Sequence, residues 1–106
     1  MSWVFLFLAG LTEVAWAIGL KYTDGWSRLW PSVVTGVLMV VSFAFLSLAL
    51  KTLPLGTAYA VWTGIGAVGT ALAGIYLFGE PRDALRLFCI ALIITGVLGL
   101  RLLTRA

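Results

Sequence analysis

Histidine is absent from this chain. That removes the commonest general base and the commonest nitrogen ligand for metals. The single cysteine, Cys89, permits no internal disulfide and no cysteine-based metal site. Lying in an apolar stretch, it reads as a small buried hydrophobe. Charge is scarce too, at 10% of residues, against about a quarter in ordinary globular chains. Four acids and seven bases cannot clothe 106 residues that are 62% hydrophobic, so the surplus apolar surface must face lipid. The net charge of +3 has no basic face or motif behind it, and no nucleic-acid partner is expected. Nothing in the residue set calls for a cofactor, and without a nucleophile–base pair or metal set no enzyme is expected.

What remains is apolar sequence in long runs. A spanning helix needs roughly 20 mainly apolar residues, and four segments qualify, at about 1–20, 31–50, 56–78 and 84–103. The expected fold is all-α, a single four-helix transmembrane domain over residues 1–106. Pro31 suits a first helical position, where it has no N–H to lose. The turns fall at 21–30, 52–55 and 79–83. The first segment lacks the basic start and cleavage pattern of a signal peptide, and it carries an acid. It reads as a retained helix.

The bases give little topological bias. With four spans, Lys51, Arg101 and Arg105 share one side, and Lys21, Arg28, Arg82 and Arg86 the other. Three against four sets no firm orientation under the positive-inside rule. Either one orientation wins narrowly, or both insert and pair antiparallel. Four helices are also too few to enclose a polar cavity while shielding an ionisable group from lipid, which calls for a partner copy. Membrane helices meet through small residues; Gly96 and Gly99, spaced i,i+3 in the fourth span, are candidates for dimer packing. Gly64-Ile65-Gly66 thins the third span and is a candidate hinge.

Glu13 is the only charge inside an apolar run. An acid near the bilayer centre costs at least a few kcal/mol and marks a functional site by default. The alternative is a protonated structural carboxyl. No base lies at membrane depth to pair with it, so its counter-ion must come from outside, as a proton or a cationic substrate. Trp16 follows at i+3 on the same face, beside the small residues Ala9, Gly10 and Ala17. A tryptophan can stack a planar cation or donate its indole N–H; core packing is the bland alternative. Tyr59 and Trp62 repeat the i,i+3 spacing in the third span. Interfacial belts account for Trp3, Trp26 and Trp30 but not for Trp62. A polar handle in hydrocarbon needs a partner, and the Glu13 carboxylate is the best candidate. Ser42, midway along the second span, reads by itself as bonded to its own helix backbone.

Taken together, these residues resemble the small multidrug resistance family of bacterial exporters. The match runs essentially end to end. It includes the acid in the first span, Lys-Tyr-Thr-Asp-Gly-Trp-Ser-Arg-Leu-Trp-Pro-Ser at 21–32, and Pro-Leu-Gly-Thr-Ala-Tyr-Ala-Val-Trp-Thr-Gly-Ile-Gly at 54–66. Glu13-Val14-Ala15-Trp16-Ala17 is similar to the guanidinium-exporter branch; the multidrug branch has a small residue where Trp16 stands. The resemblance implies a multi-pass protein of the bacterial inner membrane that forms an antiparallel, dual-topology homodimer. It implies that Glu13 binds proton or substrate, with Trp16, Ser42, Tyr59 and Trp62 as the surround of its carboxylate.

The implied activity is proton-coupled antiport of guanidinium and small guanidinyl cations by alternating access. Guanidinium is planar, always charged and rich in N–H donors, so it can bond a carboxylate in fork geometry. Three rivals stand beside this reading. One is the same antiport with bulky quaternary ammonium or aromatic drugs. Another is a passive cation or proton channel. The third is an assembly subunit, which leaves Glu13 without a purpose.

Overall fold

The computed structural model describes residues 1–104. Arg105, counted in the charge balance above, lies outside the described residues. The described residues form four helices and no strand: α1 (Ser2–Tyr22), α2 (Leu29–Ala49), α3 (Leu55–Phe78) and α4 (Ala84–Leu103). All four are long and apolar enough to cross a membrane. The observed bounds lie within two residues of the expected ones. α2 begins two residues before Pro31, which therefore sits in the first helical turn rather than at its first position. The geometry tolerates this, because no backbone N–H of the first turn has an intrahelical partner to lose.

The helix ends follow from local chemistry. Pro54 stands just before α3 in extended conformation, with φ −60° and ψ 142°, as its ring prefers. At the far end Gly79 adopts φ +64°, a left-handed turn that glycine makes without steric cost. The Glu80 N–H then returns to the Gly74 carbonyl.

α1 is the hub. It packs along both α2 and α3, whereas α2 and α3 touch each other sparsely and α4 leans mainly on α3, meeting α1 where Arg101 lies over the Trp3 ring, 4.7 Å from its centroid. Successive contacts run in step along α1 and α3: Gly10 on Ile65, Glu13 on Gly66, Val14 on Gly69. The pair is therefore parallel, as two spans separated by one crossing must be. At each of these steps one partner is a glycine, so the backbones approach as closely as small-residue packing in lipid requires. The result is a flat slab, 42 × 35 × 17 Å. Its core is small, built from Leu6, Ala9, Ala49, Leu53, Ala58, Val61 and Trp62. No residue of α4 is buried.

Candidate functional site

Glu13 lies at mid-length of α1, and its side chain leaves the helix toward α3. The carboxylate rests where the side chain of residue 66 would be: a β-carbon added at Gly66 would run into it. One carboxylate oxygen, Oε1, is buried and has no hydrogen-bond partner in the chain. A buried acceptor left unpaired is destabilising by about 1–3 kcal/mol, more when charged. The site therefore favours whatever brings a donor, a proton or an N–H-rich cation.

One turn toward the N-terminus the polar groups are tied together. Ser42 Oγ donates to the Ala9 carbonyl at 2.8 Å, and Trp62 Nε1 lies 3.2 Å from both that carbonyl and Ser42 Oγ. Thr12 Oγ1 donates to the Ala9 carbonyl as well, at 2.9 Å. In a regular helix the same carbonyl receives the Glu13 N–H. The knot thus fixes α1, α2 and α3 to one another at the peptide on which Glu13 stands.

Two expectations change here. The Trp62 indole was expected to find the Glu13 carboxylate; it is bonded to Ala9 and Ser42 instead. Ser42, expected to bond its own helix, reaches across to α1. It is fully buried against α1, so the Ala9 carbonyl is within reach as an acceptor.

The aromatic residues form a chain around this knot. Trp62 meets Tyr59 edge-on at 5.5 Å between ring centroids and Phe43 at 5.8 Å, and Phe43 meets Trp16 at 6.5 Å. Trp16 and Trp62 are thereby bridged through α2 by Phe43, a residue marked in the sequence only by its place next to Ser42. The Trp16 indole N–H is buried and unpartnered. Tyr59 touches the group only through Trp62 and remains 55% exposed, facing out of the slab.

The glycines act differently from one another. α3 runs unbroken through Gly64 and Gly66. Gly66 seats the Glu13 carboxylate, and Gly64 lies against Val97 of α4. Their visible contribution is close approach. Gly96 and Gly99 have no atom of this chain within reach of a β-carbon; they present bare backbone on α4. No group of acids or cysteines among the described residues is arranged to hold a metal ion.

Comparison with known proteins places these features in context. The family model described as Small Multidrug Resistance protein matches residues 1–93. The guanidinium exporter of Escherichia coli (strain K12) is 61% identical over 104 residues, covering 98% of this chain and 99% of its own. Those of Salmonella typhimurium and Citrobacter freundii are each 60% identical. The first alignment covers 96% of this chain and 97% of the relative, and the second 98% and 99%.

Proposed function

Because the chain belongs to the small multidrug resistance family, and is thus a multi-pass protein of the bacterial inner membrane, we propose that it exports guanidinium and small guanidinyl cations in exchange for protons. The observation that carries the reading is the Glu13 carboxylate, seated on Gly66 with a buried oxygen that nothing in the chain satisfies. The names of relatives at about three-fifths identity point to the same cation.

Glu13 binds either a proton or the cation, and the competition is the coupling. Guanidinium offers paired N–H donors that match a carboxylate bidentately. Trp16 and Trp62 line the approach with flat faces, and Trp16 adds a free indole donor. Trp62 and Ser42 act on Glu13 through the Ala9 peptide, holding the three helices in register. Tyr59, exposed beside Trp62, completes the site from the open face. The reaction is the binding and release of ions, with no covalent bond made or broken, so the protein is a carrier and not an enzyme.

A slab 17 Å thick offers Glu13 one wall and no roof. An antiparallel second copy supplies the roof and a second Glu13, and α4 with Gly96 and Gly99 is the face on which the copies meet. In such a pair the inward-open and outward-open states are equivalent by symmetry, so neither is strongly favoured. The membrane potential contributes about 2.3 kcal/mol per net charge moved per 100 mV.

The guanidinium reading is preferred over export of bulky drugs because Trp16, packed against Phe43, fills space that a large aromatic cation would need. The test is exchange in proteoliposomes carrying a pH gradient. Wild type takes up guanidinium with proton counterflow, and Glu13→Gln does not. Uptake that persists in Glu13→Gln would refute the site, and guanidinium flux without proton movement would make the protein a channel.

A further inference from the structure

Two acids of this chain are seated on glycines of α3: Glu13 on Gly66 and, nearer the end of the helix, Glu80 on Gly74. The proposed exchange uses the first and not the second. Glu80 is held from two directions. Gly79 turns the chain back so that the Glu80 N–H bonds the Gly74 carbonyl at 3.2 Å, and the carboxylate lies where a β-carbon of residue 74 would be. The step from Gly66 to Gly74 is about 12 Å of helix rise. This second acid therefore sits not at mid-membrane but at the end of the span, the level of lipid headgroups.

Glu80 lines a cleft of about 460 Å³ between α3 and α4, within the roughly 300–1,000 Å³ of ordinary ligand pockets. From that end the walls run toward the bilayer centre and are apolar: Ala71 and Ile75 from α3, Leu85, Cys89 and Ile90 from α4. Arg86 lines the cleft as well, so its outer end carries a charge of each sign. The two do not neutralise each other. Among the described residues the one ion pair is Arg86 Nε to Asp83 Oδ1 at 2.8 Å, on an exposed turn. It engages one N–H of a guanidinium that has five. Asp83 directly precedes α4 and gives that helix no side-chain cap, so the N–H groups of its first turn are open to an anion. Counting Arg82 and Asp83, this corner holds two acids and two bases, a balance that suits a zwitterion better than a simple anion or cation.

We propose that the cleft binds a zwitterionic phospholipid with a primary-ammonium headgroup, taken from the surrounding bilayer. Arg86 and the N-terminus of α4 receive the phosphate, Glu80 receives the ammonium, and an acyl chain lies along Ala71, Ile75 and Ile90. A primary ammonium has three N–H donors for the carboxylate; a trimethylated one has none. The lipid gives α4, which has no buried residue of its own, a second surface to rest on.

The test is native mass spectrometry of the full chain in detergent, titrated with phosphatidylethanolamine, phosphatidylcholine or phosphatidylglycerol of identical acyl chains. Phosphatidylethanolamine is expected to bind at least about tenfold more tightly than either of the others, the effect of one charge-assisted hydrogen bond. Glu80→Gln should bring it down to the level of phosphatidylcholine and leave phosphatidylcholine itself unchanged, which also shows that the variant is folded. Glu13→Gln should keep the full preference. A phosphatidylethanolamine carrying a diazirine on its acyl chain should cross-link within residues 71–90. Equal binding of phosphatidylethanolamine and phosphatidylcholine by wild type overturns the headgroup assignment, as does a preference that survives in Glu80→Gln. Tightest binding by phosphatidylglycerol makes the cleft an anion site and overturns it too. Cross-links absent from 71–90, as when a second copy covers the cleft, overturn the site.

Discussion

α1 and α4 are nearly alike as sequences and unlike as parts of the protein. They have 21 and 20 residues, and both are apolar enough to span. α1 is gripped by two helices and carries the acid, the knot and a buried indole donor. α4 has no buried residue and leans mainly on α3. Hydropathy cannot separate them, because lipid and a protein neighbour are both apolar. What separates them is the placement of glycine and polar atoms. Where α1 meets α3 at Gly10 and Ile65, Glu13 and Gly66, and Val14 and Gly69, a glycine from one or the other stands at each contact. On α4 the glycines meet nothing in the chain. In a membrane, the helix that carries the candidate site is distinguished by what its neighbours leave out.

Changes beside α1 should therefore damage function, and changes on α4 should damage assembly. Beyond loss of exchange in Glu13→Gln, the largest effect is expected at Gly66. Gly66→Val drives a branched side chain into the carboxylate seat. Overpacking of this kind is destabilising by roughly 1–3 kcal/mol, so exchange should fall roughly 10–100-fold while circular dichroism shows intact helices. Wild-type exchange in Gly66→Val would mean that the carboxylate does not need its seat.

On α4, a β-carbon added at Gly96 or Gly99 meets no atom of the chain, so Gly96→Leu and Gly99→Leu start into open space. Their effect on a single copy should stay within about 0.5 kcal/mol. If α4 is the mating face, each should lower the dimer fraction in detergent roughly tenfold, an effect of about 1.4 kcal/mol. Unchanged cross-linking yield in both would move the interface elsewhere. The smallest effect is expected at Trp62→Phe, which keeps the ring and removes one donor from the knot. The loss should be about 1 kcal/mol, seen as a modest drop in thermal stability. A fall as large as that of a cavity in the core would show that the ring's packing, not its N–H, matters.

Much of this was legible in the residues. Four runs of about 20 apolar residues set the spans to within two positions, and an acid in hydrocarbon marked itself. The local spacing of Trp16 on Glu13 and of Trp62 on Tyr59 placed each pair correctly on its own helix. What the residues could not supply was the pairing between helices. Trp62 had one donor and several acceptors within conceivable reach. The carboxylate was the chemically strongest of them, but the helix register presents the Ala9 carbonyl and Ser42 instead. Gly66 showed the opposite ambiguity: missing side-chain volume reads equally as flexibility or as room for a neighbour, and only the position of Glu13 decides.

The central claim is that proton and cation compete for Glu13. Equilibrium binding of guanidinium, measured by calorimetry across a range of pH, tests it most directly. The account predicts that affinity weakens steadily as pH falls through the titration of Glu13, and that Glu13→Gln binds weakly at every pH. Guanidinium affinity that stays flat across the range, or that survives in Glu13→Gln, would contradict it.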